Sequence, residues 1–268
     1  MPTRNTRTSP APARSRRDPV VPPQHGAWGF LGLPLLTGVA AAGWSPWALL
    51  LAVAWVAAYP CSWAVTGLLT ARRPERFRRA ALVWAPPCVL AGVLLLVTHV
   101  WLVWVLLAYL VLFAVNLQQA RRRRERSIEN DLVLIAECTL LVPVLAGVVD
   151  GASGLRAPIS AMTTTDVLLA MLVTALALVG STLHVKSLIR ERNNPAYTTA
   201  SRVVAVLTPF VVAAACLATG TSAWLAAPFV LLAARAVWWH DPTWRPARIG
   251  LVELAAFVLV AVAAFIAL

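Results

Sequence analysis

Residues 121–149 read RRRRERSIENDLVLIAECTLLVPVLAGVV: a run of arginines, a short polar stretch, then an apolar run carrying a single charge, Glu137. About 20 mostly apolar residues in a helix cross the roughly 30 Å hydrocarbon layer of a bilayer. The stretch therefore predicts a membrane-spanning helix with a cluster of cations at its start. If the pattern recurs, it decides the fold.

It recurs from end to end. The 268 residues are 60% hydrophobic and 13% charged, against about 45–50% and about 25% in a soluble domain. Mean hydropathy is +0.75. The apolar runs are continuous rather than alternating, which speaks against a β-barrel. Nine spans are predicted, over 28–43, 46–70, 80–98, 100–118, 131–149, 166–186, 201–219, 222–239 and 248–268. The fold class is all-α, a polytopic transmembrane helix bundle of one domain over 22–268. Residues 1–21, rich in Arg, Pro, Ser and Thr, read as a disordered basic tail that cannot bury a core. No small-residue cleavage site closes the next apolar run, so the tail is not read as a signal peptide.

The positions of the charges set the expected orientation. Every Lys and Arg but Arg156 falls in the tail or in or beside every second connection: 72–79, 121–126, 186–202 and 235–248. Positive charge gathers on the cytoplasmic side. The pattern predicts a multi-pass protein of the cell membrane, N-terminus in the cytoplasm and C-terminus outside, with an odd number of spans. The net charge of +12 then orients the chain and meets anionic lipid; no nucleic-acid partner is expected. Cys61, Cys88, Cys138 and Cys216 form no metal-type pair and are read as small buried hydrophobes. Outside, only 150–166 is long enough to form a lid or a re-entrant piece.

Polar residues at membrane depth are costly unless partnered, so they mark candidate sites. In PPQHGAWGF (22–30), His25 is either a cap of the first span or a site residue. Asn116 and Gln119 share a helix face at the end of span 4, and Asn130 and Glu137 share one in span 5. Glu129, Asn130 and Asp131 suit a helix N-terminus as cap and dipole partners, or serve as binding groups. Glu137 lies about 9 Å inside its helix; it is either an acid/base group or the partner of an inner arginine.

In STLHVKSLIRERNNPAYTTASR (181–202), a helix continuing through 191 would place His184, Ser187 and Glu191 on one face. Lys186 and Arg190 would share another, before Asn193, Asn194 and Pro195 break the helix. A cation-rich helix end and an amide-rich turn suit a phosphate or diphosphate head; the alternative is an ordinary basic loop. WWHDPTWRP (238–246) reads as an interfacial turn. Glu253, inside the last span, needs an arginine or a hydrogen-bonding partner.

Three of these stretches, PPQHGAWGF, ARRRRERSIENDL and HVKSLIRERNNPAY, in that order over roughly 22–205, resemble the YwiC-like family of bacterial membrane proteins. That resemblance implies a membrane location and assigns no activity. The span count, orientation and polar stretch after span 6 are also similar to the UbiA-type intramembrane prenyltransferases. Those carry two acidic motifs that hold Mg²⁺ and a prenyl diphosphate. IRERNNPAYTTASRVVAVL looks like the second motif with Glu191 kept and Asn193 or Asn194 replacing another acid. The first is absent: AYPCSWAVTGLLTARRPER holds no Asp or Asn. Mg²⁺ is implied only if such an activity is retained.

The leading reading is a membrane protein that handles a lipophilic, polyprenyl-type substrate with an anionic head at the cytoplasmic face, with catalysis left open. The bilayer is one partner, and an isoprenoid or phosphorylated lipid the other. His25, Asn130, Asp131, Lys186, Arg190, Glu191, Arg192 and Asn194 are the candidate binding residues. Glu137 and His184 are the acid/base candidates, and no metal ligands are assigned. The rival readings are a transporter of a small anion or metabolite and a non-catalytic membrane assembly subunit.

Overall fold

A computed structural model describes residues 19–23, 26–124, 126–239, 241 and 243–268. The tail expected over 1–21 lies, but for its last three residues, outside the described residues, as does His25. Regular structure among the described residues is helical throughout. The helices are α1 (Ala27–Ala42), α2 (Pro46–Thr70), α3 (Glu75–Thr98), α4 (Leu102–Arg121), α5 (Ile128–Asp150), the short α6 (Ile159–Met162), α7 (Thr165–Ile189), α8 (Pro195–Thr219), α9 (Ala227–Trp238) and α10 (Pro246–Ala267). A 3₁₀ turn, Ala223–Ala226, leads into α9. Seven of them, α2–α5, α7, α8 and α10, are long and apolar enough to cross a membrane. The chain is a multi-pass membrane protein. The apolar stretches 27–42 and 223–238 are shorter, about 24 Å each at helical rise.

Local chemistry sets the helix ends. Ser45 caps α2 by accepting from Ala48 N at 3.1 Å, with Pro46 at the first helical position, where its missing N–H costs nothing. Thr164 and Asn194 cap α7 and α8 in the same way. Gly151 and Gly220 end α5 and α8 in the left-handed region, at φ 80° and 72°, where a Cβ would be strained.

α5 and α7 form the centre, packed on each other and on α1, with α8 and α10 completing that layer. α2 and α3 form a closely packed hairpin at the side, and α4 packs chiefly against α5 with most of its surface open to lipid. Gly67 lets α2 and α3 meet: a Cβ there would lie 2.3 Å from the Phe77 ring, which itself packs edge-on to Trp63 at 5.0 Å. Gly67→Val is expected to cost about 1–3 kcal/mol by overpacking, read as the SDS fraction needed to unfold the protein in mixed micelles. Most of that cost should disappear in a Phe77→Ala background; its persistence there would remove the ring from the explanation. Cys61 and Cys88 face each other across the same hairpin. Cys138 and Cys216 are buried as expected, whereas Cys61 and Cys88 remain partly exposed.

α1 is short because it starts part-way along its neighbours. Trp28, in its first turn, meets Tyr59 edge-on at 5.7 Å, and Tyr59 is about 16 Å from the end of α2. Trp84 of α3 donates to the Val20 carbonyl at 2.8 Å. Val20 thus lies beside α3, where backbone finds a protein partner. Further along, Thr37 and Thr174 of α7 join their hydroxyls at 2.7 Å.

At the opposite end of α4, the 150–164 segment is strapped down. Trp101 is fully buried; its indole donates to Ala152 O at 2.9 Å, and its backbone N–H to Gly154 O at 2.9 Å. Trp104 donates to Leu155 O. Nearby, His99 packs on Trp47 at 5.3 Å, and burial pushes its imidazole below the usual pKa.

Candidate functional site

The polar side chains gather where α4 ends, α5 begins and α7 ends. Ser127 caps α5 by accepting from Asn130 N at 3.3 Å, which sets Glu129, Asn130 and Asp131 in the first turn. Asp131 faces α7, and its Oδ2 meets Lys186 Nζ at 2.7 Å. Lys186 also donates to the Arg126 carbonyl at 2.8 Å, joining the α4–α5 connection to α7. Lys186 is buried, while Arg190 and Arg192 just beyond it are exposed.

α7 ends at Ile189, short of the expected 191. The Arg190 and Glu191 N–H groups both return to the Lys186 carbonyl, at 3.1 and 2.7 Å. Asn194 then starts α8: its Oδ1 accepts from Ala196 N and its Nδ2 donates to Glu191 Oε2, both at 3.2 Å. Glu191 and Asn194 therefore brace the α7–α8 elbow, and Glu191 is not on one helical face with His184 and Ser187. His184 is buried on α7, and its carbonyl accepts from Ser187 Oγ at 2.8 Å.

Glu137 faces the other way. Six residues after Asp131, it lies about 120° around the helix from it. It meets α4, where Asn116 Nδ2 donates to Glu137 Oε1 at 2.8 Å and Tyr109 donates to the Glu137 carbonyl at 2.7 Å. Tyr109 packs against Trp55 of α2 at 5.9 Å, and Trp55 Nε1 donates to Leu31 O of α1 at 3.2 Å. Asn116 Oδ1 and Gln119 Oε1 are buried acceptors with no hydrogen-bond partner among the described residues. α5 is thus a wall between two polar groups: Asp131 with Lys186, and Glu137 with Asn116 and Tyr109. The sequence reading singled out Asn116 and Gln119 but missed Tyr109 and Trp55, which look like ordinary apolar-span aromatics until the fold brings them beside Glu137.

A second buried ion pair joins α9 to α10, Arg235 Nη1 donating to Glu253 Oε1. Glu253 thus finds an arginine as its partner. Arg235 is a lone cation in an apolar stretch, and its sequence signal was absorbed into the charge pattern. In the 238–246 turn, Asp241 accepts from the hydroxyl and N–H of Thr243 at 2.6 and 2.8 Å. These bonds, the hydroxyl's foremost, hold its carboxyl below the usual range. Arg248 stacks on Trp244 at 4.0 Å.

The carboxylates do not converge as a magnesium site would require. Asp131 is taken by Lys186, Glu137 by Asn116 on another face, and Glu191 by Asn194. Among the described residues no group of three His, Cys, Asp or Glu is placed to hold a metal ion. Mg²⁺ needs several oxygen ligands in near-ideal octahedral geometry, so these residues do not fit it.

The sequence profile of the family described as YwiC-like protein matches residues 21–146, from the approach to α1 into α5. The uncharacterized protein YwiC of Bacillus subtilis is 30% identical over 257 residues, covering 92% of this chain and 98% of that protein. An uncharacterized protein of Haemophilus influenzae is 26% identical over 235 residues, covering 87% of this chain and 91% of its own length. No solved structure matches. On that likeness over nearly the whole of both proteins, the chain belongs to the YwiC-like family.

Proposed function

We propose that the protein binds an amphipathic molecule with an anionic head, of polyprenyl type, where the arginine-rich connections meet the bundle. One observation carries this reading: the Asp131–Lys186 pair, its lysine buried and its aspartate half-buried, stands at the end of α7 beside the elbow that exposes Arg190 and Arg192. Exposed guanidinium groups beside an organised ion pair suit a phosphate, which they can grip with paired hydrogen bonds. In this reading Arg190 and Arg192 hold the head, helped by Asn130 and by His25 at the approach to α1. Asp131 and Lys186 position the α7 end, and Glu191 and Asn194 shape the elbow. His184 on α7 is the acid/base group for any chemistry on the head, and Glu137, across α5 with Asn116, is the acid/base group of the second polar cluster.

The same reading takes 27–42 and 223–238 as crossings, giving nine in a UbiA-like arrangement. It places the N-terminus in the cytoplasm, the C-terminus outside and the protein in the cell membrane, in accord with the charge pattern. Native mass spectrometry of protein extracted in mild detergent tests the binding. The expected result is a retained isoprenoid or phosphorylated lipid, reduced about tenfold in Arg190→Ala/Arg192→Ala through loss of charge-assisted bonds. Protein carrying only bulk phospholipid, equally in both forms, would overturn it. The Arg235–Glu253 pair favours a second reading as a transporter, since ionisable groups inside spans often mark ion or solute paths; solute uptake into proteoliposomes would establish it.

A further inference from the structure

The head-group reading leaves the seam between α4 and α5 without a ligand. Glu137 lies about 14 Å along α5 from its start, and Asn116 Nδ2 donates to its Oε1 at 2.8 Å. Among the described residues no lysine or arginine pairs with it. Lys186 is held by Asp131 and Arg235 by Glu253. α2 carries no charged side chain, and α4 carries only Arg121, which is exposed at its end. An ionised carboxylate at membrane depth is costly without a cation.

The groups around Glu137 offer acceptors and few donors. An ionised carboxylate cannot donate, so the Asn116 amide has to turn Nδ2 toward it. Nδ2 and Oδ1 share one planar amide, which places Oδ1 within about 5 Å of Glu137 Oε1. Gln119 follows one turn along the same face of α4. Asn116 Oδ1 and Gln119 Oε1 are both buried with no hydrogen-bond partner among the described residues, where buried polar atoms are nearly always satisfied. The neighbouring donors are spent elsewhere. Tyr109 gives its proton to the Glu137 carbonyl at 2.7 Å, and Trp55 gives its own to Leu31 O at 3.2 Å.

We propose that Glu137, Asn116 and Gln119 form a binding site for a monovalent metal cation, sodium or potassium, at the α4–α5 seam. One carboxylate and two neutral amide oxygens balance a single positive charge, whereas a divalent ion would leave an excess charge inside the spans. Hard cations take carboxylate and amide oxygens as ligands, and an ion of calcium's size, as sodium is, sits about 2.4 Å from each. One such ion can therefore touch both Glu137 Oε1 and Asn116 Oδ1. The carboxylate supplies the charge, and the amides satisfy their orphaned oxygens on the ion. α5 separates this site from Asp131 and Lys186, so the proposal stands apart from the head-group reading.

Binding of radiolabelled sodium, and of radiolabelled rubidium in place of potassium, tests this on the full chain in phosphatidylcholine nanodiscs. The buffer is held at about pH 8, where an ordinary carboxylate is ionised, with choline chloride setting the ionic strength and empty nanodiscs as the blank. Wild type is expected to bind one or both ions saturably. Glu137→Gln still accepts from Asn116 and so keeps the seam, but should bind about a hundredfold more weakly for want of the charge. Gln119→Leu should bind about tenfold more weakly through loss of one neutral ligand. Arg190→Ala/Arg192→Ala should bind as wild type does, which keeps this test distinct from that of the head-group site. Wild type that binds neither ion above the blank would overturn the proposal, as would binding that is unchanged in Glu137→Gln.

Discussion

Lys186→Met is expected to destabilise the protein by about 2–4 kcal/mol, because it leaves a largely buried carboxylate without its cation. The Asp131 side chain is 22% exposed and that of Lys186 8%, so water relieves part of the penalty and the full cost of a sealed ion pair is not reached. The Arg126 carbonyl loses its donor in the same step, which adds the cost of an unmade hydrogen bond. Lys186→Met/Asp131→Leu should recover all but about 1 kcal/mol, because an apolar pair of similar volume replaces the ion pair. SDS unfolding in mixed micelles, followed by circular dichroism, measures both. A single variant within about 0.5 kcal/mol of wild type would mean that the ion pair does not hold the α4–α5 connection to α7. Since the Lys186 carbonyl also anchors the elbow, the double variant separates charge from backbone: its helix end remains while the ion pair is gone.

Trp101→Ala should cost about 3 kcal/mol, the typical loss for a large buried aromatic, and should free the strap that follows α5. The ring is fully buried and fills the space left by Gly147, where a Cβ would lie 2.8 Å from it. Its indole N–H is one of several bonds holding 152–155 to the start of α4. Trp101→Phe keeps most of the packing and loses that hydrogen bond, at about 1 kcal/mol. Hydrogen exchange over 150–158 is the direct readout: fast in the alanine variant, intermediate in the phenylalanine variant. Unchanged exchange in Trp101→Ala would show that the backbone bonds from Val100 and Trp101 hold the strap by themselves. The 150–166 connection is long enough for a lid or a re-entrant piece. In the fold it is a fastened strap with one short helix, because its carbonyls meet N–H donors from the start of α4.

The spans were legible to within a few residues where hydropathy and caps coincide. α2 begins and ends as expected, at Pro46 and Thr70. α3 starts five residues earlier than its apolar run, since its first turn, Glu75 to Arg79, is helical but mostly charged. α8 starts early for a similar reason, its first turns being PAYTTA. Hydropathy detects the part of a helix that lies in lipid, and hydrogen bonding carries the helix beyond it. The site was legible as a list of residues and less so as a set of pairs. Asp131, Lys186 and Glu137 stand out as polar groups at membrane depth, whereas Glu191 and Asn194 prove to be partners of each other at the elbow.

Order along the chain by itself determines that this is a helical membrane protein, where its helices run and which connections carry the positive charge. Those properties depend on apolar length, on capping residues and on charge count, all of which are local. Only the tertiary structure decides which acid meets which base. Helical periodicity turns Asp131 and Glu137 to different sides of α5, but periodicity does not say what stands on each side. The packing of α4 and α7 against α5 gives Asp131 a lysine and Glu137 an asparagine and a tyrosine. The short reach of α9 likewise brings Arg235 level with Glu253, a match between two distant stretches that no local pattern encodes.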